Sequence, residues 1–164
     1  MSASLMPASN LLTDLTSIVG QDHVLTSDAD RDFYAMDVYN QLKLPLAVIQ
    51  PGSVEELQKV VRTATTAGVA VVPRGGGASY TDGYLPTVTN SILLDTGRLN
   101  RIVELNEGDM YVTVESGITW AELWQALKGR PRASLHYVVT ISVDTGEPSV
   151  ALPVVSQSSV GGAA

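Results

Sequence analysis

Two spacings of apolar positions alternate along this chain, and each predicts a different element. Leu46-Ala47-Val48-Ile49 is a short apolar run bounded by Pro45 and Pro51, the pattern of a buried strand. Ser53 and Glu56 then form the S-x-x-E pattern of a capping box. Apolar residues recur at Val54, Leu57, Val60, Val61, Ala64 and Ala67, one face of a helix that ends at Gly68. Val69 to Val72 is the next strand, so residues 46–72 form a strand–helix–strand unit. Such a crossover favours parallel strands with the helix covering one face. Ser91-Ile92-Leu93-Leu94-Asp95 is a further buried strand.

Downstream the period changes to two. Ile102 to Leu105 and Met110 to Glu115 flank the turn Asn106-Glu107-Gly108-Asp109, which predicts an antiparallel hairpin. Met110, Val112 and Val114 share one face of its second strand, Tyr111, Thr113 and Glu115 the other. Gly117 breaks the run. Thr119 and Glu122 repeat the capping-box pattern ahead of Leu123, Trp124 and Leu127, the core-facing stripe of a short helix ending near Gly129. Upstream, Ser9 or Asn10 caps a small helix through Leu11, Leu12, Leu15 and Val19. Tyr137 to Val143 reads as a strand and Asp144 to Pro148 as a turn. The fold class is therefore α/β (α+β), a strand–helix–strand unit followed by a mixed or antiparallel sheet and a short helix.

Chemistry concentrates where the second strand ends, at Pro73-Arg74-Gly75-Gly76-Gly77-Ala78-Ser79. Glycine enters positive φ freely and lets the backbone approach a ligand closely. Successive N–H groups in such a turn can converge on an anion. Arg74 adds a fork of donors suited to phosphate oxygens, and the Ser79 hydroxyl adds another. The group reads as a diphosphate cradle; the competing reading is a flexible surface turn with an exposed arginine. It is neither G-x-G-x-x-G opening into a helix nor a loop ending in G-K-[ST]. It runs instead into Tyr80-Thr81-Asp82-Gly83-Tyr84-Leu85-Pro86, which is turn chemistry. Its place at the carboxyl end of a strand is where open α/β sheets bind ligands.

Composition narrows the options. A formal charge of −7 argues against a nucleic-acid or anionic-membrane surface. Lys128, Arg130 and Arg132 suit a solvated helix end. The chain has no cysteine, which excludes disulfides and cysteine-ligated metals within it. His23 and His136 have no acid or nucleophile pattern beside them, and structural or surface roles are expected. No apolar run approaches the ~20 residues that span a bilayer, and the first residues lack a basic, apolar leader pattern. The cytoplasm is the expected compartment.

The ordered set Pro73 to Ser79, Leu93-Leu94-Asp95, Arg98-Leu99-Asn100-Arg101-Ile102, Val112 to Gly117 and Ala121-Glu122-Leu123 resembles a known family. It is similar to the FAD-binding (PCMH-type) domain of the vanillyl-alcohol-oxidase/p-cresol-methylhydroxylase flavoproteins, in the glycolate-oxidase and D-lactate-dehydrogenase-like branch. Val24 to Asp28, Tyr34 and Asp37 fit the lead-in of that branch. The resemblance implies a helical lead-in over 1–41 and the N-terminal part of the FAD-binding domain over 42–164. Ser158-Ser159-Val160-Gly161-Gly162-Ala163 resembles the family's second flavin motif. By that resemblance Arg74, Gly75, Gly76, Gly77, Ala78 and Ser79 hold the pyrophosphate of FAD and Gly117 lies near the cofactor. Ser159, Gly161 and Gly162 line its pyrophosphate–flavin side.

Two departures matter. Some members attach FAD through a histidine where Ala78 stands, and no cysteine offers the other link, so the implied FAD is non-covalent. Family members also continue into the rest of the FAD domain and a substrate-binding cap, and the segment 130–158 fits no family pattern. The implied activity is oxidation of a D-2-hydroxy acid, glycolate-like or lactate-like, or of another alcohol, with no catalytic residue expected in this chain. The alternatives are a catalytically silent fragment, a subunit whose substrate site comes from a second chain or a missing C-terminal domain, and a non-flavin anion-binding module.

Overall fold

A computed structural model describes residues 8–127, apart from positions 79 and 110. Met110, the basic residues from Lys128 onward and the expected strand over 137–143 therefore lie outside the described residues. The elements, in order, are α1 (Ala8–Val19), a 3₁₀ turn (Gln21–His23), β1 (Val24–Leu25), α2 (Asp28–Tyr34), β2 (Ala47–Ile49) and α3 (Val54–Thr66). They continue as β3 (Ala70–Arg74), β4 (Ser91–Asp95), β5 (Ile102–Asn106), β6 (Tyr111–Val114) and α4 (Trp120–Leu127).

β1 to β4 form one sheet in the order β1-β2-β4-β3. β4 is parallel to both β2 and β3, with Val48 opposite Leu93 and Arg74 opposite Asp95. The expected parallel crossover is present, but β4 is inserted between its two strands. All five β4 residues are buried, as a strand covered on both faces requires. Ile92 and Leu94 face a core built with Leu11, Leu15 and Val19 of α1 and Val60 and Ala64 of α3. The lead-in also supplies β1, antiparallel to β2 through Val24 opposite Ile49. β3 lies at the sheet edge among the described residues, where Pro73 can sit in a strand without starving a ladder of its N–H.

α3 begins and ends on local chemistry. Ser53 Oγ accepts the Glu56 N–H at 3.1 Å. The Glu56 carboxylate reaches back to the Gly52 N–H at 2.8 Å, one residue beyond the expected capping box. At the other end Gly68 takes φ +72°. The Val69 N–H then donates to Ala64 O at 2.9 Å and the Gly68 N–H to Thr65 O at 3.0 Å, a Schellman closure that satisfies two terminal carbonyls. This turn delivers the chain straight into β3.

β5 and β6 form the expected hairpin as a separate two-stranded sheet. Its base is clamped where Arg101 Nη2 meets Glu115 Oε1 at 2.6 Å and the Arg101 N–H meets Oε2 at 2.9 Å. Thr119 and Glu122 complete a reciprocal capping box on α4, at 3.2 and 2.8 Å. One expectation fails here. Leu123 is buried, but Trp124 is 68% exposed and is not core. It lies one residue, about 100°, round the helix from Leu123, and the buried stripe is narrower than the apolar one.

Candidate functional site

Because β2, β4 and β3 run parallel, their carboxyl ends lie together. They bring Gln50, Asp95 and Arg74, spread over 45 positions of sequence, to one edge of the sheet. The glycine loop leaves this edge directly after Arg74. Around Gly75 and Gly76 an added Cβ would meet nothing within 4 Å, so the backbone there faces open space. Gly77 takes φ +70°, and a Cβ on it would run into the Arg74 guanidinium. The far side of the loop is pinned by the Tyr84 hydroxyl, which donates to Gly77 O at 2.7 Å.

Arg74 is half-buried and folded beneath this loop. Its guanidinium carbon lies 4.9 Å from the ring centre of Tyr34, 5.4 Å from Tyr84 and 6.0 Å from Phe33. Its Nε is buried without a hydrogen-bond partner. The Arg74 carbonyl accepts the Thr96 N–H at 3.0 Å, which ties the loop's first residue to the end of β4.

Beside it lies a polar chain whose members the sequence reading did not join to the site, Tyr34 and Asp95 having entered it only as family-like positions. Gln50 Nε2 donates to the Tyr34 hydroxyl at 3.0 Å and to Asp95 Oδ2 at 2.9 Å. Asp95 is only 7% exposed, and its Oδ1 accepts the Gly97 N–H at 3.0 Å. Burial, and then the charge of Asp95, push the Tyr34 hydroxyl above the usual tyrosine range. One signal for Asp95 was available: a carboxylate closing an otherwise apolar strand at its carboxyl end. Nothing in the sequence tied Tyr34 or Gln50 to Arg74.

The other site residues fall as follows. Gly117 packs on the backbone just past β4: a Cβ there would overlap Thr96 O and come within 2.9 Å of Gly97 C and O. Its own N–H donates to Leu99 O at 2.7 Å. Ala78 is exposed on the loop. Ser79, Ser159, Gly161 and Gly162 lie outside the described residues. Among those described, no group of three or more acids or histidines is placed to hold a metal. No described helix is long and apolar enough to cross a membrane.

An open glycine loop over a half-buried cation with an unmet donor is a fitting receptor for a diphosphate. A family model described as "FAD binding domain" matches residues 45–163, well over half of the chain. The chain belongs to the FAD binding domain family. Its cofactor is FAD. A curated relative, the 1'-carboxy-chondrochloren decarboxylase of Chondromyces crocatus, is 31% identical over 125 residues, which cover 76% of this chain and 23% of that protein. The D-2-hydroxyglutarate dehydrogenase of Xanthomonas citri pv. viticola is 38% identical over 94 residues, 57% of this chain and 20% of that protein. Among solved structures, p-cresol methylhydroxylase with substrate bound shares the fold, with a TM-score of 0.64, 21% identity, and coverage of 73% of this chain and 24% of that one. The FAD-binding domain fold expected from the resemblance is thus the one observed, and this chain spans less than a quarter of each of these proteins.

Proposed function

We propose that this chain is the cofactor-holding part of a flavin-dependent oxidoreductase that oxidises a D-2-hydroxy acid, with FAD bound non-covalently. The observation that carries the cofactor site is the open backbone at Gly75 and Gly76 above the half-buried Arg74, whose Nε has no partner among the described residues, at the carboxyl ends of three parallel strands. Arg74 donates to the pyrophosphate oxygens, and the N–H groups of residues 75–78 converge on the same anion. Gly117 keeps the hairpin close against the end of β4, at the cofactor's edge. Ser79, Ser159, Gly161 and Gly162 are assigned to the cofactor from the family resemblance of their sequence alone. Ala78 offers no nucleophile at the loop position, and the chain has no cysteine, which supports non-covalent binding.

FAD, when bound, supplies the two-electron acceptance that no side chain can provide. The protein's part is to bind, orient and shield. The hydroxy-acid class rests on the D-2-hydroxyglutarate dehydrogenase relative, and the residues that select and deprotonate such a substrate are assigned to further sequence or a second subunit. The test is a visible absorption spectrum of the purified chain after incubation with FAD and desalting. A retained flavin band released on denaturation supports the reading; a folded but colourless protein contradicts it.

A further inference from the structure

We infer that Tyr34 is a positioning residue for Arg74: its ring, anchored to the sheet through Gln50 and Asp95, holds the guanidinium beneath the glycine loop without neutralising it. This rests on the reading of Arg74 as the pyrophosphate ligand.

The other arginines of the described residues with defined partners show what is unusual. Arg31 pairs with Asp28 and donates to Pro45 O, and Arg101 pairs with Glu115. Arg98 donates to Gln50 O at 2.6 Å. Arg74 has aromatic rings in place of such partners. A carboxylate beside a guanidinium cancels much of its field, whereas a ring face attracts the cation through its quadrupole and leaves the net charge intact. An anion site needs the second arrangement.

The acid beside Arg74 in the ladder is oriented by other donors. Asp95 faces Arg74 across the β3–β4 ladder. Both its oxygens are taken, one by Gln50 Nε2 and the other by the Gly97 N–H. Gln50 spends its second amide hydrogen on the Tyr34 hydroxyl. One side chain therefore fixes the ring and orients the acid. Tyr34 closes α2, where Phe33 meets it edge-on at 5.3 Å, so helix, strand ends and loop converge on one cation.

The experiment is a fluorescence titration of the full chain with FAD, with inorganic pyrophosphate as a competing probe. Tyr34→Leu and Tyr34→Phe are each made alone and with Arg74→Ala, and folding is checked by circular dichroism. Loss of the ring in Tyr34→Leu should weaken FAD and pyrophosphate together, by roughly threefold to thirtyfold. Tyr34→Phe, which keeps the ring, should restore affinity to within about twofold, and Tyr34→Leu should cost nothing further once Arg74 is gone. If Tyr34→Leu does not fold, Tyr34→Gln removes the ring while keeping polar reach to Gln50. Equal losses in both backgrounds, or unchanged affinity in the ring-less variant while Arg74→Ala is impaired, overturn the inference. Unchanged affinity in Arg74→Ala itself would overturn the cradle reading instead.

Discussion

Gly117→Ala tests whether this glycine is a structural necessity of the FAD-binding domain. An added methyl would overlap Thr96 O and approach the Gly97 carbonyl carbon and oxygen at 2.9 Å. All three are backbone atoms, so no side chain can swing aside. Either the turn after β4 or the segment entering α4 must move, and overpacking of this kind costs about 1–3 kcal/mol. Movement also threatens the 2.7 Å bond from the Gly117 N–H to Leu99 O, a further ~0.5–1.5 kcal/mol. Reduced freedom of the unfolded chain returns roughly 0.4–1 kcal/mol. The net expectation is destabilisation of about 0.5–4 kcal/mol, read as a lower urea midpoint with an unchanged slope. Gly76→Ala is the control, because its new methyl meets nothing within 4 Å; only the unfolded-chain effect acts there, so it should be unchanged or up to about 1 kcal/mol more stable than wild type. Indistinguishable midpoints for the two variants would refute the close-approach argument.

Further predictions concern the site and the hairpin. Arg74→Ala should weaken FAD by roughly 1.5–3 kcal/mol, the worth of a charge-assisted contact; titration of a folded variant at wild-type affinity would remove Arg74 from the cradle. Gly76→Val should fold normally, since its side chain points into open space, yet on the cradle reading it should lose flavin after desalting, because the anion would occupy that space. The Arg101 side chain, and then its N–H, hold the Glu115 carboxyl below the ordinary glutamate range against the opposing pull of burial. That contribution is complete above the unfolded value of about 4.3 and is lost as pH falls through the lower folded value. Glu115→Gln should therefore be less stable than wild type at neutral pH, with the gap closing in acid; a gap independent of pH would contradict the pairing.

What could be read from the sequence was local. The S-x-x-E and T-x-x-E patterns marked α3 and α4 because a cap is a contact between residues three apart. β4 was visible because burial on both faces leaves an unbroken apolar run. The glycine loop was visible because few other sequences suit close backbone approach. What escaped was long-range. No periodicity says that β4 slides between β2 and β3, or that Val24 and Leu25 extend the sheet. The rings around Arg74 come from α2 and the turn at Tyr84, about forty residues before it and ten after, and only the tertiary fold joins them. Trp124 was misjudged because an apolar stripe on a short helix does not state how much of itself is covered.

The insertion of β4 also has a consequence in time. As the chain is made, β2, α3 and β3 appear first, with two parallel strands that have no ladder bonds to one another. Between them is a slot one strand wide, and only residues 91–95 fill it. Neither parallel pair can form before β4 has left the ribosome. Until then the glycine loop hangs from an unpaired strand, and flavin has nothing rigid to meet. On the cradle reading of the glycine loop, cofactor capture is therefore expected to follow completion of the sheet.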